Sequence, residues 1–476
     1  MSQSQRARWR LSAAGLALAM LVTACSGSSS ASPSASGGAA TGDKTEIEWF
    51  VGLGTGTNPE QFAAENGVVD TFNAAHPDID LRITIVDSTN AVATLATRIA
   101  AGDVPDIIGP VGIRGLQEFG DQLLDLTPYI ESSGFDLSQI DQSLIDVYKL
   151  DGKQIGIPMA VYSSFIYYNK SLFDEAELAY PPHDVGEQYE GQDWTWDTVR
   201  ELAMKLTVDA DGNDATSAAF DDANIDQFGL DAQFTNNDTR AWSTIFGGSG
   251  SVIGDDGTSA QWPDNWRTGL QYFYDGMWKD HFIPTKAAAD GINADGNTFQ
   301  SGRIAMDVVH QWYTCCIYPT EGAAPVTDWD IAVLPVGPDG KITSKLHADT
   351  IGIMDSTVDK DAAFEVLSYL IQAPELTQAW GAMPAIESQR AAFFDSLAPW
   401  DASGSPALEI DWNVSSLMLQ YPDNPSHEAF MPNFSVADES NKAFGSKLWT
   451  TAGLNLNAEI DKQVKTLQGI FDAAGG

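Results

Sequence analysis

Polar and apolar residues alternate from Thr45 to Val51 (TEIEWFV), a pattern that predicts a half-buried strand. A glycine-rich loop, Gly52 to Asn58, follows it. Helical spacing then runs from Pro59 to Ala75 and stops at His76-Pro77-Asp78. Ile79 to Val86 alternates again as a second strand, and Ala91 to Ala101 sets Val92, Leu95, Ile99 and Ala100 on one helical face. Ala101 to Ile108 reads as a turn into a buried strand. Two strand–loop–helix units in succession predict a parallel sheet. Such sheets bind ligands outside the carboxyl ends of their strands, which makes the loop ending in Asn58 a candidate contact. It lacks both the P-loop lysine and the dinucleotide glycine spacing, so a phosphate site is excluded there.

Further along, Asp151-Gly152-Lys153 is a tight turn and Ile155 to Ile157 a short strand that Pro158 ends or confines to an edge. Val161 to Tyr168 is long enough for a buried strand, and Asn169-Lys170-Ser171 starts a helix. Thr195 is placed to cap a helix whose buried stripe is Val199, Leu202, Ala203 and Leu206. Asp361 to Ile371 and Leu456 to Phe471 carry two more amphipathic helices.

The N-terminus changes the picture. Arg6, Arg8 and Arg10 precede an apolar run, Leu11 to Val22, that has the form of a secretory signal and is too short to span a bilayer as a mature helix. It ends in Val22-Thr23-Ala24-Cys25, which resembles a bacterial lipobox. Residues 26–42 are Ser, Ala and Gly with one Pro and one Thr, a flexible tether. The expected layout is a lipoprotein signal peptide over 1–24, a tether over 25–43, and a lipid on Cys25 holding the protein on the extracellular face of the cell membrane. The 476 residues carry 66 acidic against 25 basic side chains, which argues against nucleic acid as a partner because phosphates would be repelled. Fourteen tryptophans exceed what a core alone needs, so some rings are expected at a ligand.

Several segments carry a family likeness: Asp151-Gly152-Lys153 through Tyr168-Asn169-Lys170, Ala101-Gly102-Asp103-Val104-Pro105-Asp106, Trp194-Thr195-Trp196, Phe299 to Met306, Asp330 to Pro335 and Gly381-Ala382-Met383-Pro384. In order and spacing, over 45–471, they resemble the extracellular solute-binding proteins of ABC importers, especially those for sugars. That resemblance implies an α/β, two-lobed periplasmic-binding-protein fold of class II type with three interlobe crossovers and a central ligand cleft. The lobes are expected over 44–148 and 305–347 (first) and 149–304 and 348–476 (second), with crossovers near 145–152, 300–306 and 345–352. It further implies a monomer without cofactor that captures a mono- or oligosaccharide for an ABC permease. The ligand contacts are then Asn58, Gly109, Arg114, Tyr162, Trp242, Trp312, Tyr313, Asp349 and Met383. Gly109-Pro110 departs from the pattern, standing where the family usually has an aromatic. Trp312 follows the Gly302-to-Met306 motif at the offset of a cleft aromatic and is expected to be the stacking platform, while Trp242 faces the cleft or fills the core.

Alternatives stay open on the residues themselves. A polyamine or peptide ligand would also suit an acidic binding protein, and among 66 acids a glycoside-hydrolase pair is conceivable. No enzyme frame stands out, however: the six histidines fall in no HExxH-like spacing, and no metal site is expected. Asp209 to Asp214 is a hairpin turn or a calcium loop, though it lacks Gly at the sixth position and Glu at the twelfth. Cys315 and Cys316, once Cys25 is lipidated, are the remaining thiols in an oxidising setting; they either close a strained eight-membered ring or stay reduced and buried.

Overall fold

Ten strands carry the architecture: β1 Thr45–Val51, β2 Ile79–Ile85, β3 Ile107–Val111, β4 Ile157–Tyr162, β5 Ser164–Asn169, β6 Val208–Asp209, β7 Ile225–Asp231, β8 Ile304–His310, β9 Trp329–Ala332 and β10 His347–Ile353. In this computed structural model they form two five-stranded sheets, ordered β2-β1-β3-β10-β4 and β6-β7-β8-β5-β9. The structure describes residues 44–474 apart from 60, 113, 114, 116, 117, 151, 233–237, 293–297, 318–325, 398–408, 429 and 430; the side chains of 147, 315 and 316 also lie outside the description.

The first sheet opens as the alternation predicts. β1 runs parallel to β2 from Thr45↔Ile79 to Val51↔Ile85, and parallel to β3 at Trp49↔Ile107. The helices α1 (Phe62–Ala75) and α2 (Ser88–Ala101) return the chain between them. The Asp87 carboxylate caps α2 by accepting from the Thr89 amide, and Gly102 ends it at φ 76°, a left-handed conformation that glycine adopts without a Cβ clash. The apolar sides of these elements bury Trp49, Phe50, Phe72, Leu95 and Ile107 in one core. β10 then joins antiparallel between β3 and β4, so the sheet is mixed. Pro158, which cannot donate to a ladder, sits in β4 on the sheet's edge opposite a register shift between Asp349 and Thr350.

The second sheet holds most of the large aromatics. Trp242, Trp266, Trp329, Tyr167 and Phe273 are buried around it. Helix α3 (Trp196–Lys205) starts at Thr195, whose hydroxyl accepts from the Thr198 amide, and buries Val199, Leu202 and Ala203 against this core. Helices α4 (Thr239–Gly247) and α5 (Asp264–Trp278) approach so closely that a Cβ on Gly247 would lie 2.0 Å from the Asn265 carbonyl oxygen. The closing helices α8 (Phe434–Thr450) and α9 (Leu456–Ala474) pack here as well.

The crossovers depart from the expected positions. Val161 to Tyr168 is one apolar run in sequence, yet it divides at Ser163 between β4 of the first sheet and β5 of the second. Lys149–Leu150 and Lys153–Gln154 pair as a small ribbon, whose neighbours Tyr148 and Ile155 lie in the first core. Met306 and Val308 pair with Tyr168 and Ile166, so 304–310 stays in the second lobe instead of returning to the first. The chain returns between β9 and β10. It leaves again between Phe393 of the first core and Val414 of the second. Small hydroxyl side chains tie these crossings together: the Ser163 hydroxyl donates to the Ser415 carbonyl (2.7 Å), the Ser164 hydroxyl to the Lys345 carbonyl (2.7 Å), and the Ser344 hydroxyl accepts from the Ser164 amide (2.9 Å).

Candidate functional site

A cleft of about 600 Å³ opens beside these crossings, a size within the roughly 300–1,000 Å³ usual for small-molecule sites. Leu53, Gly54, Thr55 and Asn58 line it from the loop at the carboxyl end of β1, Tyr162 from β4, His347 and Asp349 from β10, and Gln378 and Trp380 from the end of α7 (Pro374–Trp380). From the second lobe come Trp312, Thr314 and Glu428. A larger hollow, about 920 Å³, lies where 137–142 and 387–394 meet 413–420. Its one cation, Arg390, already donates to the carbonyls of Pro384 and Ala385.

The glycine loop is held against the wall by its neighbours. A Cβ on Gly56, at φ 92°, would meet Glu65 Oε1 at 2.6 Å, so only glycine lets the loop settle there. The same Glu65 oxygen accepts from the Trp380 indole at 2.9 Å, and burial pushes its carboxyl up from the ordinary range. Gly381 stops α7 at φ 63°, with Trp380 and Gln378 in the wall of the cleft. Gln61 accepts from the Asn58 amide at 3.0 Å, which fixes the loop's end.

Asp349 and Tyr162 sit on paired strands, and the tyrosine hydroxyl donates to Asp349 Oδ2 at 2.9 Å. Burial outweighs this bond and pushes the Asp349 carboxyl up to about 6. Trp312 follows β8 in a short turn, partly exposed, and rests on both cores at once. It begins a ladder of rings: Trp312 lies nearly parallel to His310 (centroids 6.0 Å), His310 covers His347 (3.9 Å), and His347 faces His427 (5.3 Å). Full burial beside the other histidines and Lys345 holds His310 neutral, far below the usual range, and desolvation brings His347 down to about 4. Lys345, wholly buried, is pushed down to about 8 by desolvation; Asp238, Asp423, Glu428 and Asp307 oppose that shift.

Of the expected contacts, the structure brings Asn58, Tyr162, Trp312 and Asp349 to one cleft. Others fall elsewhere. Trp242 is fully buried, stacked on Phe246 and against Phe273, and belongs to the second core. Tyr313 is buried edge-on to Tyr167. Met383 is buried behind the cleft, its carbonyl accepting from the Val161 amide. Gly109 accepts from the Trp49 indole inside the sheet, where a Cβ would lie 2.6 Å from the Thr350 carbonyl oxygen. Arg114, Cys25 and the side chains of Cys315 and Cys316 lie outside the described residues. In the 209–214 turn, Asp209 accepts from the amides of Asp211, Asn213 and Asp221, so its oxygens serve the turn itself. Sequence reasoning missed Gln378, Trp380, His347 and Glu428. Trp380 stands just before the Gly381-to-Pro384 motif, a signal that was there to be used.

Comparison with known proteins agrees with this architecture. A binding protein of Brucella abortus (strain 2308) is 23% identical over 334 residues, covering 68% of this chain and 74% of its own. The sugar-binding protein MalE of Xanthomonas citri superposes with a TM-score of 0.68 at 18% identity, over 90% of this chain and 98% of that one. An ABC substrate-binding protein from Listeria monocytogenes in complex with cycloalternan gives 0.64 at 22% identity, over 91% and 100%. The family model described as bacterial extracellular solute-binding protein matches residues 55–375, more than half of the chain, and the protein belongs to that family.

Proposed function

We propose that this protein captures a carbohydrate outside the cell and presents it to the permease of an ABC importer, held at the membrane by a lipid on Cys25 and acting as a monomer. The observation that carries the reading is the partly exposed indole of Trp312 sharing one cleft with Asn58, Tyr162, Asp349 and Gln378. A pyranose presents apolar C–H faces that stack on an indole, and its rim of hydroxyls needs such hydrogen-bonding groups. The Listeria neighbour holds cycloalternan and the Xanthomonas neighbour is a sugar-binding protein, which supports the same ligand class. The experiment is a thermal-shift screen across mono- and oligosaccharides, with polyamines and peptides as comparison, because a ligand that binds only the folded state raises the melting temperature. Stabilisation by a sugar, left intact after incubation, is the expected result. Stabilisation only by a polyamine or peptide would overturn the ligand class, and hydrolysis of an oligosaccharide would overturn the receptor role.

A further inference from the structure

Three of the six histidines in the sequence gather at the base of the cleft, and two of them sit with a glutamate in an arrangement that the capture of a sugar does not require. His347 Nε2 and His427 Nε2 are 3.3 Å apart, and Glu428 Oε1 is 3.6 Å from His347 Nε2; one ligand atom from each of the three falls within 4.8 Å of the others. Zinc binds imidazole nitrogen and carboxylate oxygen at roughly 2.0–2.2 Å, and the edge of a tetrahedron of that radius is roughly 3.3 Å. The spacing of the two nitrogens is therefore already that of two ligands on one ion.

The surroundings point the same way. His427 Nδ1 donates to Asp423 Oδ2 at 2.7 Å, and that carboxylate is itself fixed by the amides of His427 and Leu346. A histidine whose second nitrogen is held by a carboxylate presents its other nitrogen as a lone pair in a fixed direction, the outer-shell arrangement of metal-bound histidines. His310 covers one face of the His347 ring. Asp423 and Glu428 set two carboxylates beside the two imidazoles, with the ammonium of Lys345 as the opposing charge on His347.

We propose that His347, His427 and Glu428 bind one divalent transition-metal ion of the zinc class at the base of the cleft, with Asp423 orienting His427. Two imidazoles and one carboxylate suit Zn²⁺ and its neighbours over Ca²⁺ or Mg²⁺, which take oxygen donors. Because His347 and Glu428 line the cleft, an ion held by them would lie beside whatever the cleft holds.

The test uses the full mature protein, stripped with a chelator and titrated with ZnCl₂ by calorimetry, with Co²⁺ absorption as a second readout. One Zn²⁺ per chain is expected, with a Co²⁺ ligand-field spectrum. Glu428→Gln and His347→Asn should each weaken Zn²⁺ at least tenfold and abolish that spectrum, while His281→Asn, remote from the cleft, should change neither. Both are near-isosteric, and their metal-free circular dichroism establishes that they fold; if one does not, the other decides. No stoichiometric Zn²⁺, or unchanged affinity in a folded variant, would overturn the proposal and leave the trio as a hydrogen-bonded relay. Neither result depends on which solute the cleft takes.

Discussion

Asp349→Asn should stabilise the ligand-free protein, and should do so only above acidic pH. The wild-type carboxyl is pushed up from 3.8 to about 6 because burial disfavours its charge more than the Tyr162 hydroxyl favours it. At about 1.4 kcal/mol per pH unit of displacement, ionising this group in the folded state costs about 3 kcal/mol. The folded value lies above the unfolded one. The contribution to stability is therefore complete below about pH 4 and is lost as the pH rises through 6. Asparagine keeps an oxygen for the Tyr162 hydroxyl and cannot ionise. Mutant and wild type should thus unfold at nearly the same denaturant midpoint at pH 4 and diverge by up to about 3 kcal/mol by pH 8, several degrees in melting temperature. Equilibrium urea unfolding at a series of pH values measures the difference. Parallel profiles for the two proteins would refute the reasoning, because they would mean that the carboxyl titrates alike folded and unfolded.

The other predictions separate the cleft from the core. Trp312→Ala should weaken the sugar found in the thermal-shift screen by at least about 1 kcal/mol in calorimetry, and should cost less in unfolding than Trp242→Ala because its indole is partly exposed. Trp242→Ala should do the reverse, costing about 3–5 kcal/mol in urea unfolding because the indole is fully enclosed, and leaving affinity intact once folded. Cys25→Ala should release the protein into the medium or leave it unprocessed; membrane retention equal to wild type, measured by fractionation, would remove the lipid anchor.

Local pattern carried much of this fold. β1 matches the alternating run residue for residue, and α9 begins at the expected Leu456, because period-2 and period-3.6 spacing report which side of an element meets the core. The crossovers were misplaced for an equally physical reason. Val161 to Tyr168 is apolar throughout since β4 and β5 are both buried, and nothing in composition marks that two different sheets do the burying at either side of Ser163. Trp242 and Trp312 read alike in sequence, and only packing separates them. His347 and His427 stand 80 positions apart, so no spacing rule could have joined them.

The serine-linked crossings also bear on modularity. Each half of the molecule is assembled from separate stretches of chain: the first sheet takes β1 to β4 and then β10, and the second takes β5 to β9 and then recruits Val414, Met418 and residues between Met431 and Phe471 to its core. No single cut frees either half, since severing one connection leaves two others in place. Neither half is a contiguous reading frame that recombination could move as one piece. Exchange of one half between relatives would therefore need more than one crossover, whereas a change of side chains along the cleft needs none.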